Sequence, residues 1–72
     1  MNASKRIKTV MKDKGITDAQ LAELTGKTLQ TVKNTFYKDR RAGAMRYANA
    51  EQMLEAMGCE IIIRDKETGR EY

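Results

Sequence analysis

Gln30, Lys33 and Asn34 are the residues of this 72-residue chain whose types and spacing best suit recognition chemistry. Three and four positions apart, they share one face if the segment is helical. Gln and Asn each offer a donor and an acceptor together, which suits an adenine edge, whereas Lys seeks guanine or phosphate. Thr31 and Tyr37 belong to the same polar side. The competing reading is an ordinary solvated helix face, the default for exposed polar residues. Catalytic chemistry has no comparable cluster. The chain has no His and a single Cys, and it lacks a phosphate-cradling glycine loop, a metal-ligand cluster and a nucleophile with an evident base. We therefore expect no enzyme, no metal and no cofactor. Glu51 and Glu55 lie one helical turn apart, but read as surface charges. RNA binding would call for interleaved aromatics that stack bases, and these are missing.

The elements that must position this face are two short helices joined by a tight turn, in the stretch from Thr17 to Tyr37. Thr17 can cap the first through its hydroxyl, with Gln20 placed as the capping-box partner. Leu21 and Leu24 fall three apart on one face, and Ala22 is small enough for close helix approach. Gly26 supplies the left-handed residue after the helix end. Thr28 can cap the second helix, whose Leu29, Val32 and Phe36 make a buried stripe.

Those residues carry a resemblance. Thr17 to Phe36 resembles the helix-turn-helix of the Cro/C1-type, phage-repressor-like DNA-binding family, through LAELTG at Leu21 to Gly26, the Thr28 cap and Thr31-Val32 in the second helix. With its flanking helices the similarity covers residues 4 to 58, although only about twenty residues carry specific motif content. Three places depart from the family pattern. Asp18 stands where the family often has a Gln that braces the DNA backbone. Lys27 replaces the usual turn hydrophobe, with Leu29 as the candidate to fill the gap, and Thr35-Phe36 alters the usual end of the helix. The resemblance implies a mainly α, phage-repressor-like bundle of four to five helices, with a recognition helix over residues 28–37 in the major groove. Gln30, Lys33 and Asn34 would lie near bases, and Thr28, Thr31 and Tyr37 at phosphates or the groove edge.

The charge distribution points the same way. Between Lys27 and Arg46 stand Lys27, Lys33, Lys38, Arg40, Arg41 and Arg46 against Asp39 alone, a local surplus of +5 within a net charge of +4. The rest of the chain therefore sums to −1. Clustered cations neutralise phosphates and release counterions. A charge run is usually a solvated loop, so its coincidence with the helix-turn-helix is what counts. The stretch from Lys38 to Ala44 reads as a charged connection containing Gly43, and in the resembled family this loop follows the sugar-phosphate backbone. Lys38, Arg40 and Arg41 are the candidates for that contact, the guanidinium forks matching phosphate geometry.

Ahead of the motif, residues 1 to 3 should fray. Ser4 can cap a helix running to about Lys14, with Ile7, Val10 and Met11 as its buried stripe. Gly15 ends it and Ile16 makes the accompanying hydrophobic contact. Lys5 and Lys8 read as solvated surface, with a phosphate contact as the alternative. After the motif, Met45 to Ala48 is either a short fourth helix or the approach to the next, and Tyr47 reads as core rim. Asn49 to Met57 is expected to be a helix, capped by Asn49 with Gln52, burying Ala50, Met53, Leu54 and Met57, and ended by Gly58.

The tail changes character. Cys59 reads as a small buried apolar residue, and one Cys fits a reducing cytoplasm. CEIIIR, from Cys59 to Arg64, suits a strand, DKETG is turn-forming, and Arg70 to Tyr72 can return as a second strand. Residues 1–58 then form a helix-turn-helix DNA-binding domain, and residues 59–72 a C-terminal β-hairpin or strand of the same unit. A lone hairpin is marginal in water. We expect it to pair with its copy in a second subunit through Ile61, Ile62 and Ile63, giving a C2 homodimer on a pseudo-palindromic operator. The alternatives are a hairpin folded on its own monomer, or a strand that grips another protein, as in the antitoxin of a toxin–antitoxin pair. No run is apolar enough for a signal peptide or membrane span, so no membrane partner is expected. The leading expectation is a cytoplasmic, sequence-specific binder of double-stranded DNA, a small transcriptional regulator of the Cro or repressor kind.

Overall fold

The computed structural model describes residues 3–43 and 45–72. Four helices follow in order: α1 (Ala3–Lys14), α2 (Asp18–Thr25), α3 (Leu29–Ala42) and α4 (Tyr47–Ala56). α1 and α2 each pack against both α3 and α4. The core between them consists of Ile7 and Met11 from α1, Leu21 and Ala22 from α2, Val32 and Phe36 from α3, and Ala50, Met53 and Met57 at α4. This is a helical bundle, as expected. It holds four helices, and no fifth occurs among the described residues.

The turn between α2 and α3 forms as its sequence dictates. Thr17 Oγ1 accepts the Gln20 N–H at 3.1 Å, while Gln20 Oε1 accepts the Thr17 N–H at 2.8 Å, completing the capping box. Gly26 sits at φ 69°, where a Cβ would be strained, and Lys27 N–H closes back on Ala22 O at 2.9 Å. Thr28 Oγ1 then accepts the Thr31 N–H at 3.1 Å and starts α3. Gly15 ends α1, with Ile16 N–H donating to Met11 O at 2.8 Å and the Ile16 side chain packed on the core.

Several local expectations are corrected. Ser4 does not cap α1; it lies inside the first turn, buried, and Ala3 is already helical. Its N–H donates to Asp39 Oδ2 at 2.8 Å, so the first turn is satisfied from another helix. Leu24 is 54% exposed and Leu29 40% exposed, so the buried faces of α2 and α3 are narrower than the leucine spacing implies. Leu29 therefore does not fill the place of a turn hydrophobe. Residues 38–42 are not a loop but the last turn and more of α3, which ends where Gly43 N–H meets Asp39 O at 2.7 Å. α4 starts at Tyr47 rather than Asn49, with Arg46 at its N-cap making no side-chain cap bond. Asn49 instead accepts the Lys27 ammonium at 3.3 Å, and Gln52 Nε2 reaches Thr25 O at 3.5 Å. Tyr47 is 59% exposed, and Cys59 is only half-buried. The fraying expected at Met1 and Asn2, and Ala44 of the expected connection, lie outside the described residues.

The tail departs furthest from expectation. No extended hairpin forms; a single antiparallel bridge joins Arg64 and Glu71. Asp65 Oδ1 accepts the N–H groups of Glu67 and Thr68 at 2.8 and 3.3 Å, and Gly69 N–H returns to Asp65 O at 2.8 Å. That turn takes up Asp65 to Gly69, so pairing is confined to the bridge, closed by Asp65 N–H to Arg70 O at 2.8 Å and Tyr72 N–H to Ile63 O at 2.9 Å. Ile61 packs on the core, while Ile62 and Ile63 stay exposed. Among the described residues no helix is long and apolar enough to cross a membrane.

Candidate nucleic-acid interface

α3 is a 14-residue helix, about 21 Å long, and its two faces differ sharply in chemistry. Val32, Phe36 and Asp39 are buried on one side. The opposite stripe, at i, i+4, i+7 and i+11, holds Gln30, Asn34, Tyr37 and Arg41, all exposed. The stripe is organised as two clasped pairs. Gln30 Nε2 donates to Asn34 Oδ1 at 3.0 Å, and the Arg41 guanidinium donates to Tyr37 Oη at 3.1 Å while lying 5.7 Å from the centre of its ring.

Cations border this stripe on both sides. Lys33 and Arg40 share a shallow groove with Lys8 and Asp18 on the α1–α2 side. Lys38 lies in a second groove with Thr31, Asn34, Arg46 and Asn49 on the α4 side. Thr28 and Thr31 share a 2.8 Å hydroxyl bond at the N-terminus of α3, both exposed. Arg40 and Arg41 belong to the last turn, where positive charge suits the helix dipole. The residues expected near bases and phosphates thus share one surface. Ile61, Ile62 and Ile63 lie in the tail, outside this face.

Two contributors to this surface, and one buried residue that holds α3 from behind, were not legible as such. Lys8, read as solvated, forms a 2.9 Å ion pair with Asp18, and its ammonium lies 4.4 Å from the Phe36 ring centre. It ties α1, α2 and α3 together beside the exposed stripe. Arg46 joins the α4-side groove because α4 begins two residues early.

The third is Asp39, counted in the sequence as one acid among cations. It is buried, its Oδ2 accepting the Ser4 N–H at 2.8 Å and its Oδ1 the Met45 N–H at 3.1 Å. Burial acts to raise its pKa, but the hydrogen bonds from the backbone and side chain of Ser4 and from the Met45 backbone hold it below the ordinary carboxylate value. Its spacing was a usable signal, since Val32, Phe36 and Asp39 continue one stripe at i, i+4 and i+7.

Among the described residues no group of acidic, His or Cys side chains could hold a metal ion. What the surface offers is amide donors and acceptors at the centre and positive charge at the margins. No family model matches the chain, and no curated protein or solved structure matches it.

Proposed function

We propose that this chain binds double-stranded DNA sequence-specifically, as a small Cro/repressor-like transcriptional regulator acting in the cytoplasm, with α3 in the major groove. The observation that carries the reading is the shared exposure of Gln30, Lys33 and Asn34 on one helix whose flanks hold Lys8, Lys38, Arg40 and Arg46. Amides and Lys33 would meet base edges, while the marginal cations, Thr28, Thr31 and Tyr37 would meet phosphates or the groove edge. A solvated helix face accounts for the polarity alone. It does not account for amides centred between two cationic margins on a capped helix-turn-helix.

As a C2 dimer, joined through Ile61, Ile62 and Ile63, the protein would read a pseudo-palindrome with half-sites one helical turn apart, about 34–36 Å. The exposure of Ile62 and Ile63 equally favours a second reading, in which the tail grips another protein, as an antitoxin does. A stoichiometric partner retrieved by the full chain but not by a chain lacking residues 59 to 72 would support it.

The test of the leading reading is selection of bound duplexes from random DNA at two salt concentrations. We expect a recovered motif with two-fold symmetry, and affinity that falls steeply with salt. Recovery of no motif would remove sequence-specific reading.

A further inference from the structure

Ile62 lines an open groove bounded by α1, α4 and the tail, to which α3 contributes no residue. Ile7, Leu54 and Ile61 give the groove its apolar lining, and Arg6 of α1 and Glu60 of the tail edge it. Both charged side chains are exposed, and neither has a hydrogen-bond or ion-pair partner among the described residues. One unpaired charge of each sign leaves this edge neutral in sum. The α3 face is different, because its cations would hold two copies of a chain of net charge +4 apart.

From this we infer that the groove receives a second copy of this chain: in a two-fold dimer the exposed Ile62 and Ile63 of each copy cover the groove of the other, and Arg6 of each pairs with Glu60 of the other. A two-fold axis passing between Arg6 and Glu60 sets each opposite the copy of the other, so both pairs form together. The same operation turns the tail side of one copy toward the α1 side of the other, where Ile7 lies. Burial of the isoleucines drives association, and the crossed charges fix its register. Because α3 lies outside the groove, its polar face stays open to a ligand in the dimer. A foreign partner could bury the isoleucines, but its charges would not be bound by symmetry to the placement of Arg6 and Glu60. The inference rests on the proposed dimer and adds the surface on which each copy docks, together with the pair that sets the register.

Sedimentation of the full chain without DNA tests it, for the native protein, Arg6→Glu, Glu60→Arg and the double reversal. The native chain should dimerise. Each single reversal creates two like-charge contacts across the axis and should weaken dimerisation about tenfold. The double reversal should restore it, and so should an equal mixture of the two single variants, because each supplies the charge that the other needs. Both positions are exposed, so circular dichroism of every variant should match the native chain. Restoration by the double reversal but not by the mixture would place the pair within one chain and overturn the inference. Single reversals without effect would also overturn it, while leaving a dimer joined through the isoleucines alone. A native monomer would overturn both the groove pairing and the proposed dimer; DNA selection reports separately on α3.

Discussion

At Asp39, burial and hydrogen bonding act on one carboxyl group in opposite directions, and hydrogen bonding prevails. Its two oxygens hold the first turn of α1 and the approach to α4 against α3. Replacement by Ala would leave the Ser4 and Met45 N–H groups without that partner, at a cost of about 1–3 kcal/mol. The pH dependence follows from the sign of the shift. A folded-state pKa below the unfolded one means that stability is fully present above the ordinary carboxylate range and is lost as pH falls through the folded value. Urea unfolding at neutral pH and in acid should show this loss in the native protein, and a smaller one in Asp39→Asn, which keeps an acceptor but does not titrate. An equal acid response in both would assign the sensitivity to other carboxylates. Beyond its place on the stripe of Val32 and Phe36, little of this was legible beforehand. In sequence, an acid between Lys38 and Arg40 looks like surface charge, because burial of a carboxylate depends on donors brought in from Ser4 and Met45, neither local to it. The amides of Gln30 and Asn34 were legible, since their face follows from spacing alone.

Among the elements, those that end by local chemistry could be read from the chain, and those that end by packing could not. The Thr17–Gln20 box, the left-handed Gly26 and the Thr28 cap each involve residues within a few positions of one another. α4 has no side-chain cap, and the Asn49 chosen for that role is taken by Lys27 from the α2–α3 turn. α3 likewise runs to Ala42 because Asp39, buried from the side, extends its inner stripe beyond Phe36. The leucine pattern misled at Leu24 and Leu29, where spacing was right but no neighbour covers the site fully. Gly26→Ala tests the local part. No atom lies within 4 Å of the added Cβ, so the cost is the left-handed backbone itself, about 1–2 kcal/mol. Thermal melting should fall accordingly, and an unchanged melting temperature would mean that the turn relaxes into another conformation. The same turn sets how α3 is held against α2, so DNA affinity should fall with stability under the proposed function.

For the molecule as a whole, the tail leaves apolar surface uncovered. Its single bridge, Arg64 to Glu71, is reinforced by a 2.9 Å ion pair, yet both partners are exposed and such pairs contribute little. Ile62 and Ile63 remain 46% and 65% exposed, and Ile62 lines a groove with Ile7, Leu54 and Ile61, edged by Arg6 and Glu60. Two adjacent exposed isoleucines on a tail that cannot complete a sheet alone favour association with a second surface. Removing residues 59 to 72 is a blunt test, because it also deletes Ile61, which packs on the core. The cleaner variant is Ile62→Lys with Ile63→Lys, which leaves Ile61 in place. Sedimentation should give a dimer for the native chain and a monomer for the double variant, with melting of the monomeric fold little changed. Under the proposed function, DNA affinity should then drop and lose its two-fold motif, while half-site preference stays. A native chain that sediments as a monomer at all concentrations would remove the self-pairing role and leave capture of a different protein as the use of these two side chains.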